Sequence, residues 1–224
     1  MRLVRLVTRA GAAIAVATAL VIPTAPSARA DTRDPVLFVH GLGGAGDNWD
    51  TMIAGFTAAG WSRDRLHAMS YDSARSSESI AVEIKEEVDA LKARTGAAEV
   101  DVVSHSLGAL NSRWYVKYLG GAAQVDDWVS IGGVNRGTYG ALICLLDSCR
   151  EAWPGSDFLD ALNGGDPTPG PVDYTAVWSS CDEAVNPDSF ATLEGATNWY
   201  AGCVGHISLI FAPHVIDRTL RAVA

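Results

Sequence analysis

The run Val102-Val103-Ser104-His105-Ser106-Leu107-Gly108 places a hydroxyl where chemistry is possible. Apolar and β-branched residues lead into it, and a helix-compatible stretch over residues 109–118 follows at once. A strand, a sharp turn and a helix with serine at the apex make a nucleophile elbow, which holds Oγ out toward solvent. A serine hydroxyl is a weak nucleophile at neutral pH. It needs a base to take its proton, an acid to orient that base, and donors for the oxyanion it creates. The turn crowds the positions two before and two after the nucleophile. Gly108 meets that demand; Ser104 is small but departs from the commoner glycine. Taking Ser104 as the nucleophile would put Val102 and Ser106 at those positions, and valine fits poorly there.

The base and acid are sought downstream, in the order serine, acid, histidine. Of five histidines, His40 and His67 come too early and His105 lies inside the elbow. His206 follows a predicted strand, and His214 opens the last predicted helix. Open α/β sheets place their sites beyond strand C-termini, which favours His206. By the same rule the acid is Asp182, with Glu183 and Asp188 as rivals. Its task is to hold the imidazole in one tautomer and stabilise the imidazolium. The oxyanion donors are assigned to the backbone N–H groups of Leu107, next to the serine, and Leu42, in the early loop His40-Gly41-Leu42-Gly43-Gly44. Glycines there let the backbone approach an ester oxygen closely. Gly41, Gly43 and Gly46 also give the bare spacing of a dinucleotide loop, but no acid at a following strand end supports that alternative.

These side chains need a scaffold. Residues 35–40, 66–70, 99–103, 124–131, 174–179 and 197–203 read as strands. Residues 48–59, 79–94, 109–118 and 213–222 read as helices. The clearest helix lines Ile80, Ile84, Val88 and Leu91 along one face and ends at Gly96. Strands apolar on both faces, alternating with helices, predict an α/β fold: a mostly parallel sheet with helices on both faces. Residues 138–173 show no periodicity and are rich in glycine and proline, which predicts a long loop inserted beside the site.

The first 30 residues read as a secretory signal. Arg2, Arg5 and Arg9 precede an apolar run over residues 10–22, and Ala28-Arg29-Ala30 is a cleavage motif. The expected product is a single domain, residues 31–224, exported to the extracellular space. Later apolar runs are too short for a membrane span. Removing the segment's four arginines and no acids takes the formal charge from −9 to −13. That acidity argues against nucleic acid and against electrostatic docking on anionic membranes. The four cysteines allow three pairings. Cys144–Cys149 would close a short loop, and Cys181–Cys203 would tie the loop of the candidate acid to that of the candidate base. Without C-x-x-C spacing they do not read as a zinc site.

Taken together the motifs resemble the α/β-hydrolase superfamily, and within it the small secreted bacterial lipases of class 2. The resemblance rests on residues 36–44, Gly60-Trp61-Ser62, residues 100–108, Gly132-Gly133-Val134-Asn135-Arg136 and Val204-Gly205-His206-Ile207. It implies a compact α/β-hydrolase fold, a Ser106–Asp182–His206 triad, and oxyanion donors Leu42 and Leu107. It also implies ester hydrolysis with no metal or cofactor. The expected substrate is a triacylglycerol or other ester, met at a lipid–water interface by a monomer. Soluble-ester carboxylesterase and acyltransferase share every motif, and a non-catalytic secreted binding protein is the remote alternative. Ser104, where the smallest members carry alanine, and residues 138–173, which they largely lack, depart from that pattern.

Overall fold

A computed structural model describes residues 33–224. The expected signal segment, residues 1–30, and its expected cleavage after Ala30 lie outside the described residues. The sheet has six strands, all parallel, in the order β2-β1-β3-β4-β5-β6. They are β1 (Val36–Val39), β2 (Leu66–Ala68), β3 (Val100–His105), β4 (Val125–Ile131), β5 (Asp173–Trp178) and β6 (Thr197–Tyr200).

The helices are α1 (Asp50–Ala58), α2 (Ser77–Thr95), α3 (Gly108–Tyr118), α4 (Asp147–Glu151), α5 (Asp157–Asn163) and α6 (Pro213–Ala222). Alternation along β1 sends Leu37 and Val39 into a core with α2 and α3, and Val36 and Phe38 into a second core with α1 and α6. Helices therefore cover both faces, and the interior strands β1 and β3 are buried along their whole length. Helix α2 starts earlier than periodicity indicates because Ser76 caps it, accepting from the Ser79 N–H. It stops at Gly96, whose φ of 69° is left-handed. Among the described residues no helix is long and apolar enough to cross a membrane.

The expectation of an unstructured 138–173 is corrected. The segment holds a 3₁₀ turn, Tyr139–Ile143, and helices α4 and α5. Each is too short to develop a 3.6-residue pattern, so sequence periodicity could not reveal it. Local side chains make the turns instead: Thr138 Oγ1 accepts from Gly140, and Ser156 Oγ from Leu159. Phe158, Leu159 and Leu162 of α5 pack with Leu107, Leu110 and Val134 in a third core.

Acidic side chains collect where the strands begin, at the end of the sheet opposite the elbow. Carboxylate oxygens of Asp34, Asp101 and Asp126 lie within 4.8 Å of one another. Asp101 is buried, and its Oδ1 accepts from the Asp127 N–H at 3.3 Å. Burial, reinforced by Asp127 and Asp34, pushes its pKa up to about 9; burial and Asp126 raise Asp127 to about 7. An unfolded aspartate releases its proton near pH ~4. Between those values the folded state holds more protons than the unfolded state, so stability falls as pH rises. Asp101→Asn should therefore raise the urea midpoint at pH 8 and leave it nearly unchanged at pH 4. A difference equal at both pH values in a titrated denaturation series would refute this.

Candidate active site

The elbow joins β3 to α3. Ser106 has φ 55°, the one positive value at a non-glycine residue among those described. Its N–H donates to the Ile131 carbonyl at 3.1 Å, and its carbonyl accepts from Ala109 at 3.1 Å. Two glycines permit this crossing. A Cβ on Gly108 would lie 2.5 Å from the His40 carbonyl oxygen, and one on Gly41 would lie 2.7 Å from Ser106 Cβ. Ser104 is fully buried in β3, where its hydroxyl donates to the Val129 carbonyl at 3.0 Å. A small polar side chain thus serves there without reaching solvent.

Ser106 and His206 line one cleft of about 550 Å³, together with Leu42, Leu107, Ile143 and Phe211. No hydrogen bond joins Ser106 Oγ to His206 in this structure. Among the described residues neither the Leu42 nor the Leu107 N–H donates within the protein, whereas Gly43 and Gly44 in the same loop are engaged by Ser73 Oγ and the Gly41 carbonyl. Both residues line the cleft that Ser106 lines.

His206 Nδ1 lies 2.9 Å from Asp182 Oδ2 and 2.8 Å from Oδ1. The Asp182 side chain is fully buried, and its Oδ1 also accepts from the N–H groups of Ala184 (3.0 Å) and Val185 (2.9 Å). These bonds satisfy a buried carboxylate that would otherwise be costly. Gly132, at φ 54°, leaves room for the pair: a Cβ there would come within 3.0 Å of Asp182 Oδ2. The rival positions do different work. Glu183 is exposed and accepts the His206 N–H at 2.9 Å, which holds its carboxyl below the usual range. Asp188 opens a 3₁₀ turn, and His214 bonds the Ala201 carbonyl at 3.0 Å.

Disulfides join Cys144 to Cys149 and Cys181 to Cys203. The second bridges the loops of Asp182 and His206. Buried Ser179 fastens the same two loops, accepting from the Cys181 (3.1 Å) and Val204 (2.8 Å) N–H groups and donating to the Val204 carbonyl at 2.6 Å. Among the described residues, the only metal-ligand-like cluster is the Asp34–Asp101–Asp126 group at the far end of the sheet.

Residues 33–193 match the family model described as Lipase (class 2). The chain belongs to the class 2 lipase family. It is a carboxylic ester hydrolase of α/β-hydrolase fold. The mature form of Bacillus licheniformis lipase BlEst2 superposes with a TM-score of 0.75 at 16% identity, over 88% of this chain and 96% of that one. Aspergillus fumigatus lipase B gives 0.71 at 19% identity over 85% of this lipase, which spans only 52% of the fungal chain. The α/β hydrolase MGS-MChE2 from a Moroccan lagoon metagenome gives 0.61 at 17% identity, covering 84% of this chain and 89% of its own.

Two histidines, His40, which comes too early for the base, and His105, inside the elbow, brace this lipase's site. His40 Nδ1 donates to the Gly41 carbonyl at 2.8 Å, while its Nε2 accepts from the Tyr71 N–H. Its ring stacks on Tyr71, 4.0 Å between centroids, and Tyr71 OH donates to the His40 carbonyl. Burial holds His40 below the usual histidine pKa, so it is a neutral brace for the glycine loop. His105 Nε2 donates to the His206 carbonyl at 3.2 Å, and the two rings sit 4.6 Å apart. Burial, then the nearby His206, pushes His105 down to about 3. It stays neutral, so it adds no charge beside His206. The only sequence signal was a histidine fixed between two apex positions of the elbow.

His105 is thus a positioning residue linking the elbow to the His206 loop. His105→Leu should lower kcat on a soluble p-nitrophenyl ester about ten- to hundredfold, with KM nearly constant. His105→Gln, which can still donate, should recover most of it. Equal losses in both variants, or a loss confined to KM, would dismiss the role.

Proposed function

We propose that this class 2 lipase is a secreted triacylglycerol lipase using Ser106 as nucleophile, His206 as general base and Asp182 as its orienting acid. The observation that carries the reading is one apolar cleft where Ser106 at φ 55°, a histidine paired with a buried aspartate, and two unengaged N–H groups converge. His206 Nε2 takes the Ser106 proton as Oγ bonds to the ester carbonyl carbon. The carbonyl electrons move onto oxygen, which Leu42 and Leu107 N–H hold; such donors contribute about 10²–10³ each in rate. Collapse breaks the ester C–O bond, and the leaving alcohol takes the proton from His206. Water then gives a proton to His206 and its oxygen to the acyl carbon. The fatty acid departs, and Ser106 Oγ recovers the proton. No step requires a metal or a cofactor.

Residues 138–173 shape the pocket in this reading: Ala141, Ile143, Cys149 and Ala152 form one wall of the cleft. The apolar wall suits acyl chains. Two disulfides together with the leader read at residues 1–30 support export. The remaining chain, residues 31–224, is taken to act as one domain and as a monomer.

Ser106→Ala should lower kcat/KM on p-nitrophenyl butyrate by at least about 10⁴-fold and abolish labelling by a serine-directed phosphonate. Substantial residual turnover would overturn the assignment. Release of fatty acid from emulsified triolein supports the lipase reading. Turnover confined to dissolved esters would make it a carboxylesterase, and ester exchange outrunning hydrolysis in added alcohol would make it an acyltransferase.

A further inference from the structure

The cleft carries one fixed charge. Among the described residues that line it, Glu183 alone bears a carboxylate, and none is a lysine or an arginine. Glu183 is exposed, and the His206 N–H, 2.9 Å away, pins its Oε2 over the Gly205–His206 peptide. A Cβ on Gly205 would lie only 3.3 Å from that oxygen. The same bond holds the carboxyl below its usual pKa range, so it is ionised at neutral pH. Its partners are backbone N–H groups, that of His206 and its own, and these cancel no charge. Among the described residues no lysine or arginine forms a salt bridge with it.

The neighbouring Asp182 is spent differently. It is buried, and its charge faces the His206 ring. The charge of Glu183 is met by no side chain and is felt by whatever fills the cleft. An unpaired charge at a site attracts one class of ligand and repels another, which is a device of selectivity. Its attachment says which half of the ester it meets. The leaving alcohol takes its proton from His206 and so must lie against that residue. Glu183 is bonded to the backbone of the same residue, so its carboxylate borders the alcohol half. The acyl half has the uncharged wall of Ala141, Ile143, Cys149 and Ala152. An exposed carboxylate acts through a high dielectric, and salt screens it over about 10 Å at about 0.1 M. The discrimination is therefore severalfold rather than absolute.

We propose that Glu183 is a specificity-determining residue that sets the charge accepted in the alcohol half of the ester. Esters of cationic alcohols are favoured, those of uncharged alcohols such as glycerides are accepted, and those of anionic alcohols are rejected. Alcohols bearing phosphate, sulfonate or carboxylate thus make poor substrates even where their acyl chains fit. The proposal deepens the lipase reading and rests on its catalytic residues, but it is read from ratios between substrates and not from absolute rates.

The test uses three dissolved butyrate esters that differ chiefly in charge: butyrylcholine (cationic), 3,3-dimethylbutyl butyrate (neutral) and 2-sulfoethyl butyrate (anionic). Butyrate release by the purified protein is followed at neutral pH and about 0.02 M salt. The kcat/KM values should fall in that order, with the cationic and anionic esters about tenfold apart. Glu183→Gln keeps an oxygen to accept the His206 N–H and removes the charge. It should shrink the cationic-to-anionic ratio about five- to tenfold. Any loss it causes through the His206 loop is common to the three esters and cancels in the ratio. Glu86→Gln removes an equal charge from an exposed position of α2 outside the cleft, and should leave the ratio unaltered. Raising the salt to about 0.5 M should draw the parent's three values together, a readout that needs no variant. An equal loss on all three esters in Glu183→Gln would overturn the proposal and leave Glu183 a structural brace. An equal shift of the ratio in Glu86→Gln would overturn it too, because the preference would then belong to the net charge. Failure of the catalytic reading looks different: Ser106→Ala would keep its turnover of the neutral ester.

Discussion

The close crossing of α3 over the end of β1 is the constraint that governs the cleft. A left-handed backbone at a non-glycine residue costs of order 1–3 kcal/mol and persists only where its surroundings over-determine it. Around Ser106 they do. The Ile131 carbonyl fixes its N–H, its own carbonyl serves Ala109 and Val134, and the missing Cβ atoms of Gly41 and Gly108 give the space. The same crossing brings the glycine loop beside Leu107. One packing event therefore sets both the hydroxyl and the free N–H groups that flank it.

Charge is kept off the histidines that brace that cleft. His40 and His105 are both held neutral by burial, so the Asp182–His206 pair is the charge centre among them. Arg113 of α3 is buried, and among the described residues it has no carboxylate partner. It donates to the carbonyls of Asn135, Leu162 and Pro167 and to Asn163 Oδ1. Burial lowers it to about 10, which leaves it charged at neutral pH. Its fork binds α5 to the helix of the elbow, so the inserted segment and the serine share a support. The strained carboxyls sit at the other end of the sheet, where Asp101 and Asp127 respond to pH without touching the cleft.

What the sequence revealed was local. The elbow and the glycine loop are each written within a dozen residues, and each strand or long helix shows its own pattern, so spacing alone displayed them. Class 2 lipase membership followed from several such motifs in order. The braces were hidden because each joins distant positions. His105 meets the His206 carbonyl 101 residues on, and Glu151 meets Ser77 across 74. Ser104 looked like a defect because the Val129 carbonyl that accepts its hydroxyl belongs to another strand. Helices α4 and α5 were missed for a different reason: five and seven residues are too few to repeat a helical face.

The density of braces around His206 has a structural cause. The histidine follows β6, a four-residue strand at the sheet edge that pairs with β5 alone and is largely exposed. An edge strand so short offers little burial to fix what comes after it. Ser106, by contrast, emerges from a fully buried strand with neighbours on both sides. The His206 loop must be held by other means. Asp182 takes the ring, Glu183 the backbone N–H and His105 the carbonyl, while Ser179 fastens Val204. Cys181–Cys203 spans 22 positions, and closing a loop of that size limits the unfolded chain by about 3 kcal/mol in the chain-entropy account. The disulfide lies at the weakest edge of the sheet, where covalent closure and hydrogen bonds replace the missing strand contacts.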